Sequence, residues 1–240
     1  GVPNTIGTLT IEKGAGTEVT LQNNLTIENY WIMETGDLAA GADITLNGHL
    51  TRESGAGFDP GTNEVTFAGD FDNTVTDNDN LLTFHDVTIN KPNSGNVILA
   101  EDSPIQIGDA TGGSLTFDGT NQAYLDARSF DDAVTRNYVK MGEGASISGA
   151  GKEAGWVNGE LRMYFEDADA PSVKFEIGTD DYYSPMELDF LSAAFSNGGS
   201  DDGGDGYLSG YAYPGFHPAL LSTYSPPIGQ DKAVPRYWRL

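Results

Sequence analysis

Two acidic segments hold the side chains best suited to chemistry in this chain. The first lies between short apolar runs, and the second lies in a glycine-rich stretch at residues 196–206. Their aspartates are Asp70, Asp72, Asp77 and Asp79 in the first segment and Asp201, Asp202 and Asp205 in the second. Carboxylate oxygens on flexible loops are ligands that Ca²⁺ prefers. We therefore predict Ca²⁺ as the cofactor; the alternative is that both loops are solvated, since neither has EF-hand spacing.

Three tyrosines near the carboxyl end form a second candidate site. Tyr207, Tyr211 and Tyr213 lie within seven residues of each other. Tyrosine rings stack on sugar rings, so we name these residues as a candidate carbohydrate-binding site. The alternative is that they cover a β core while their hydroxyls stay in water.

The pattern of potential catalytic residues does not predict an enzyme. The three histidines lack the spacing of metal ligands, and no nucleophile elbow or phosphate loop has the right flanks. Carboxylates are too numerous for one pair to stand out as a glycosidase site. Arg128, Arg136 and Lys140 are the one basic cluster in the middle of the chain, and they keep a polysaccharide-cleaving enzyme open as an alternative.

The charge balance excludes several partners. Lys and Arg total 12 against 36 Asp and Glu, which gives a formal net charge of −24. Nucleic acid is therefore a poor partner, because phosphate binding requires clustered cations. The sequence has no apolar run long enough for a membrane helix, so we expect no membrane insertion. It also has no cysteine, which excludes disulfides and thiolate chemistry.

The elements that carry these residues are short β-strands, and part of the pattern occurs twice. Residues 9–21 contain Leu-Thr-Ile-Glu-Lys, a glycine-bearing turn and Val-Thr-Leu; residues 87–99 contain Val-Thr-Ile-Asn-Lys, a turn and Val-Ile-Leu. A third short strand follows each copy, at 25–27 and 105–107. Alternating apolar residues between Gly, Asn and Asp turns indicate strands. Repetition of such units predicts an all-β fold built as a stacked β-solenoid.

Composition changes near residue 150. The later part is richer in aromatic residues and proline, and its apolar runs are longer. We predict two units: a β-solenoid-like repeat region over 1–150, and a β-sandwich-like or capping unit over 151–240. The sequence begins in a turn-like segment and ends in a strand-like one, so we expect a piece of a longer protein.

Several short motifs resemble a known class of proteins. They are Val-Thr-Phe-x-Gly at 65–69, Phe-x-x-Val-Thr-Ile-Asn-Lys at 84–91, Gly-Trp-Val-x-Gly-x-Leu at 155–161, Phe-x-Ile-Gly at 175–178 and Tyr-x-Pro-Met-x-Leu at 183–188. In this order they resemble the repetitive cell-surface proteins that Bacteroidota export through the type IX secretion system. The resemblance spans nearly the whole chain, but each motif consists of strand and turn positions, so it carries over no catalytic residue.

This resemblance implies a secreted, extracellular β protein of the adhesin or fibre type. We therefore predict a non-enzymatic structural or adhesive segment of the cell surface, which assembles into filaments or a surface layer. The expected partners are other copies, further repeats of the same protein, and surface polysaccharide. The alternative is a carbohydrate-binding or polysaccharide-cleaving β-helix module.

Overall fold

The structure is a computed structural model that describes residues 4–79, 81–93, 95–128, 137–164, 172–189, 206–214 and 236–239. These residues form strands and no helix. The strands are β1 (Asn4–Glu12), β2 (Glu18–Thr20), β3 (Leu25–Ala39), β4 (Ile44–Leu46), β5 (His49–Arg52), β6 (Ala56–Asp59), β7 (Glu64–Phe67), β8 (Asn73–Asp77), β9 (Leu82–Phe84), β10 (Asp86–Ile89), β11 (Val97–Leu99), β12 (Ile105–Ile107), β13 (Ser114–Phe117), β14 (Ala123–Ala127), β15 (Tyr138–Met141), β16 (Ser146–Ser148), β17 (Gly155–Tyr164), β18 (Ser172–Phe175), β19 (Met186–Asp189), β20 (Tyr207–Pro214) and β21 (Arg236–Arg239).

Most strands belong to one stack of parallel coils with three faces. Face A contains β4, β7, β10, β13 and β16; face B contains β5, β8, β11 and β14; face C contains β6, β9, β12 and β15. The longer strands β1, β3 and β17 each cross more than one face. The stack has about 7 turns, and the predicted all-β solenoid is therefore confirmed.

The core consists of apolar ladders that follow from the period-two pattern. On face A, Ile44, Val65, Val87 and Leu115 lie in register on successive coils and are fully or almost fully buried. The three-residue strands β4, β9, β11 and β12 turn their first and third residues inward and their middle residue outward. Stacking at about 4.8 Å per strand then brings each inward side chain against the same position of the next coil.

The outward positions of face A form a ladder of hydroxyl side chains. Its members are Thr5, Thr26, Thr45, Thr66, Thr88, Thr116 and Ser148, each paired in register with the next. Thr66 and Thr88 both donate hydrogen bonds to the carboxylate of Glu64, at 2.8 and 2.9 Å. The β-branched Thr suits this outward strand position, and at these two positions its hydroxyl also donates a hydrogen bond to a neighbouring carboxylate.

The two copies of the repeat seen in the sequence lie on different faces. The strands of the first copy pair on face B, then face C, then face A, whereas those of the second pair on face A, then face B, then face C. The local strand-and-turn pattern is the same for all three faces. The repeat therefore predicted the strand-and-turn unit that is stacked, but not which face of the solenoid each strand of that unit occupies.

Pairing changes from parallel to antiparallel towards the carboxyl end. β17 pairs in parallel with β14 and β15, so the parallel stack continues beyond residue 150. β20 then pairs antiparallel with β17, β21 pairs antiparallel with β20, and β18 with β19 forms a separate antiparallel pair. The division of the chain into two domains stays a prediction.

Candidate functional site

The structure places the first group of predicted Ca²⁺ ligands at opposite ends of one strand. Asp70 and Asp72 precede β8, whereas Asp77 is its last residue and Asp79 follows it. A strand rises by about 3.3 Å per residue, so the two pairs lie far apart. Asp72 accepts a hydrogen bond from the Asn96 backbone N–H at 2.7 Å, and Asp70 accepts one from the Asn93 amide at 2.8 Å.

Asp77 is occupied by a buried ion pair. Its carboxylate receives two hydrogen bonds from Arg52, at 2.7 and 2.9 Å, and its side chain has no exposed area. Arg52 also donates to the backbone carbonyl of Leu81 at 3.0 Å. The pair therefore joins two successive coils where face B turns into face C.

The described residues contain no group of three or more acidic or histidine side chains arranged to hold a metal ion. The second predicted group, Asp201, Asp202 and Asp205, lies outside the described residues. Calcium binding stays a prediction for both groups.

The three candidate sugar-binding tyrosines lie on β20 but do not form one platform. The rings of Tyr211 and Tyr213 are neighbours, with centroids 4.4 Å apart. Tyr207 instead packs against Tyr164 and lies under the ammonium group of Lys140, which is 4.2 Å from its ring centroid. All three are half-buried, and burial raises the pKa of the Tyr211 hydroxyl, with a smaller contribution from nearby Tyr213.

The basic cluster is divided among other contacts. Arg128 donates to Asp126 at 2.8 Å and to Asp180 at 2.7 Å, and these carboxylates hold its pKa above the ordinary value despite partial burial. Lys140 lies over Tyr207. Arg136 is outside the described residues.

A polar cleft that sequence reasoning missed lies where face A turns into face B. We call it the corner cleft; it has a volume of about 450 Å³ and is lined by Asn96, Thr120, Asn121, Gln122, Tyr124, Lys152 and Glu153. Three successive coils contribute these residues, through the loops before β11, β14 and β17. At the earlier corner between β4 and β5 only Asn47 and Gly48 intervene, so the turn is tight there. The longer loops of the later coils project outward and leave space between them.

Hydrogen bonds from backbone N–H groups join the coils beside the corner cleft. The side-chain carbonyl oxygen of Asn96 accepts a hydrogen bond from the backbone N–H of Tyr124 at 2.9 Å. One coil earlier, the Asp72 carboxylate accepts a hydrogen bond from the backbone N–H of Asn96. The backbone carbonyl of Ala154 accepts the Ala123 N–H at 3.2 Å. These bonds align the three loops with the strand register below them.

The Tyr124 ring is held at both ends. Its centroid is 4.9 Å from that of the fully buried Trp156, which follows it in register on the next coil. Its hydroxyl donates to the backbone carbonyl of Asp180. Burial raises the pKa of this hydroxyl, and the charges of Asp180 and Asp181 add to the effect. Tyr124 lines the cleft, and its ring is held by these two contacts.

The cleft rim is a tight turn that presents two opposite charges. Gly151 and Gly155 exchange both backbone hydrogen bonds at 2.9 Å, so Lys152 and Glu153 lie at the tip of a closed turn. Both side chains are exposed. Just before this turn, Gly149 has a φ of 70° and its Cβ position would lie 2.2 Å from the Phe117 carbonyl oxygen, so only glycine fits there.

The edge of the first coil is a second surface of interest. β1 pairs with β3 along one side, and no strand among the described residues pairs with its other side. Thr8 and Thr10 are exposed on it, and Ile6 and Leu9 are only half-buried. Such an edge presents free backbone N–H and C=O groups to which another strand can add.

In comparisons with protein-family models, curated proteins and solved structures, no significant match to this chain was found. Among the described residues there is also no helix of the length and apolarity that crossing a membrane requires.

Proposed function

We propose that this chain is a non-enzymatic segment of an extracellular structural or adhesive protein at the cell surface. The observation that carries the proposal is the continuous parallel stack, whose β1 edge pairs with no strand among the described residues. Each coil buries its apolar side chains only against its neighbours, so a stack of this kind is a rigid spacer that can be extended by further coils.

The charge of the chain and its sequence motifs support the same function. A net charge of −24 keeps exposed protein soluble and suppresses unspecific association. The resemblance to exported surface proteins of Bacteroidota adds the expectation of secretion and of assembly into filaments or a surface layer. In this proposal the partner of the β1 edge is a strand of another copy or of a further repeat.

Electron microscopy of the purified chain tests this proposal. We expect wild-type protein to form rods or filaments at high concentration. Thr10→Asp places a carboxylate on the β1 edge, where two acidic copies would meet, and should reduce assembly. Its matched control is Thr51→Asp. Thr51 lies on face B in register with Thr10 but two coils away from the β1 edge, so this variant adds the same charge at an outward position inside the stack.

Two outcomes would contradict the proposal. One is wild-type material that stays as single compact particles at every concentration. The other is equal loss of assembly in Thr10→Asp and Thr51→Asp, which would assign the effect to charge rather than to the strand edge. Repeating the wild-type experiment with EDTA shows whether Ca²⁺ takes part in assembly.

A further inference from the structure

We propose that the corner cleft binds a neutral saccharide, with the Tyr124 ring as its aromatic wall and the amides of Asn96, Asn121 and Gln122 as its hydrogen-bonding groups. This inference deepens the adhesive side of the proposed function, because it names the class of partner and the place where it binds. The cleft volume of about 450 Å³ lies within the range of small-molecule sites, about 300–1,000 Å³.

The lining chemistry matches a polyhydroxylated ligand. A side-chain amide both donates and accepts hydrogen bonds, as a sugar hydroxyl does, and the Thr120 hydroxyl has the same double capacity. The carbonyl oxygen of Asn96 is used by Tyr124, but its NH₂ group has no hydrogen bond to another described residue. Gln122 and Thr120 likewise have no side-chain hydrogen bond to another described residue. The NH₂ group of Asn121 donates to the backbone carbonyl of Pro92, so this side chain offers a ligand its carbonyl oxygen. These groups are therefore available to a ligand.

The charges around the corner cleft select against ionic ligands. Lys152 is the one cation in the lining and Glu153 the one carboxylate, and they are neighbours on the same turn. A phosphate or an acidic sugar would meet one ammonium group in a chain of net charge −24, and a metal ion would meet one carboxylate beside a lysine. A neutral ligand avoids both penalties and uses the uncharged groups.

The site is also preorganised. Trp156 and the Asp180 carbonyl hold the Tyr124 ring, and the Gly151–Gly155 backbone bonds hold the rim, before any ligand arrives. Binding therefore does not have to order the Tyr124 ring or the rim turn, which favours affinity in a shallow site. An aromatic ring beside polar groups adds apolar contact with the C–H face of a sugar.

A glycan array followed by calorimetry tests this proposal. The array should carry neutral oligosaccharides of glucose, mannose, galactose and N-acetylglucosamine together with acidic oligosaccharides of uronic acids. We expect binding to at least one neutral series. With that oligosaccharide, Tyr124→Ala should weaken binding by about tenfold or more. Gln122→Ala removes a lining side chain that has no hydrogen bond to another described residue, and it should weaken binding by about fivefold.

Three controls make the result interpretable. Tyr124→Phe keeps the ring but loses its hydrogen bond to Asp180, so it should weaken binding less than Tyr124→Ala. Gln22→Ala changes an exposed glutamine on the first coil and should have no effect. Far-ultraviolet circular dichroism checks the fold of Tyr124→Ala, and Gln122→Ala decides the question if that variant does not fold. Calorimetry on dilute, unassembled protein separates this test from that of filament formation.

The proposal is overturned if wild-type protein binds no neutral oligosaccharide, or if Gln122→Ala binds as tightly as wild type. Binding confined to acidic oligosaccharides and abolished by Lys152→Ala would also overturn it, since the ligand would then be anionic. Failure of this test together with normal filament formation would leave the scaffold proposal standing.

Discussion

Lys91 shows how single polar side chains stabilise the corners of the solenoid. Its side chain is fully buried, and its ammonium group donates to the backbone carbonyls of Ala68 and Phe71, both at 2.7 Å. Burial lowers its pKa from 10.5 to about 8, although attraction to Asp72 and Asp70 opposes the shift. The lysine thus supplies donors to two carbonyls that the turn leaves without strand partners.

The lowered pKa of Lys91 predicts a dependence of stability on pH. Below about pH 8 both the folded and the unfolded chain hold the proton; between about 8 and 10.5 the unfolded chain binds it more strongly. The free energy of unfolding should therefore rise with pH in this window. Compared with Lys91→Met, we expect wild type to gain about 2 kcal/mol in the free energy of unfolding between about pH 7.5 and 9.5, as measured by urea unfolding.

Comparing the two proteins at each pH removes the contribution of other groups that titrate there. A difference between wild type and Lys91→Met that stays constant over this window would show that the Lys91 pKa is the same in both states. Lys91→Met itself leaves two buried carbonyls without a donor, so it should be less stable at every pH tested.

The Arg52–Asp77 ion pair predicts a large effect from a single substitution. Arg52→Met leaves the fully buried Asp77 carboxylate without its cation, and we expect a loss of about 3–5 kcal/mol in the free energy of unfolding. Replacing both residues, Arg52→Met with Asp77→Leu, should restore much of that loss. As a control, Arg162→Met breaks the less buried pair with Glu160, whose carboxylate keeps a hydrogen bond from Ser209, and should cost less than Arg52→Met. Equal losses in Arg52→Met and Arg162→Met would contradict this account.

The short strands themselves could be predicted well from the sequence. Runs such as Ile44–Leu46 and Leu82–Phe84 have apolar residues on either side of a threonine, and the structure turns these apolar residues inward. The phase of the coils could not be predicted, because the same local pattern serves all three faces. The tight corners were also hard to predict, because in the sequence a glycine such as Gly48 cannot be distinguished from an ordinary turn residue.

At Gly48 the backbones of two successive coils come so close that only a residue without a side chain fits, and this close approach sets the shape of the corner. A Cβ atom at this position would lie 1.7 Å from the backbone oxygen of Asn29 on the preceding coil. Gly48→Ala should therefore force the coils apart and cost about 1–3 kcal/mol. Gly151→Ala, where no atom lies within 4 Å of the added Cβ, should change stability by less than about 0.5 kcal/mol. Thermal unfolding of both variants would measure the difference, and matching melting temperatures would argue against a steric role for Gly48.

The acidic charge of the protein makes its response to chelation informative. If Ca²⁺ binds Asp70 and Asp72 or the second acidic segment, it relieves repulsion between carboxylates and stabilises the folded state by linkage. We expect EDTA to lower the melting temperature and added Ca²⁺ to restore it, with Mg²⁺ less effective. Scanning calorimetry would detect this change. Identical unfolding curves with Ca²⁺ and with EDTA would contradict the prediction that either acidic segment binds Ca²⁺.

The corner cleft illustrates the limit of sequence reasoning about a site in this fold. Its residues are spread over three coils from Asn96 to Glu153, and none belongs to a recognisable motif. They meet because register places the loops before β11, β14 and β17 above one another. One signal was available: the number of residues between a face A strand and the next face B strand rises from two before β5 to between five and seven before β8, β11, β14 and β17, which indicates longer corner loops.

The change from parallel to antiparallel pairing gives the stack a direction. Its first coil offers the edge of a parallel sheet, whereas beyond β17 the neighbouring strand β20 runs the opposite way. The two ends are therefore not alike, and joining one end to the other is a heterologous contact. A contact of this type has no two-fold axis and does not close into a dimer. Copies joined in this way would all point in one direction, so that any fibre they formed would have a growing end chemically distinct from its base.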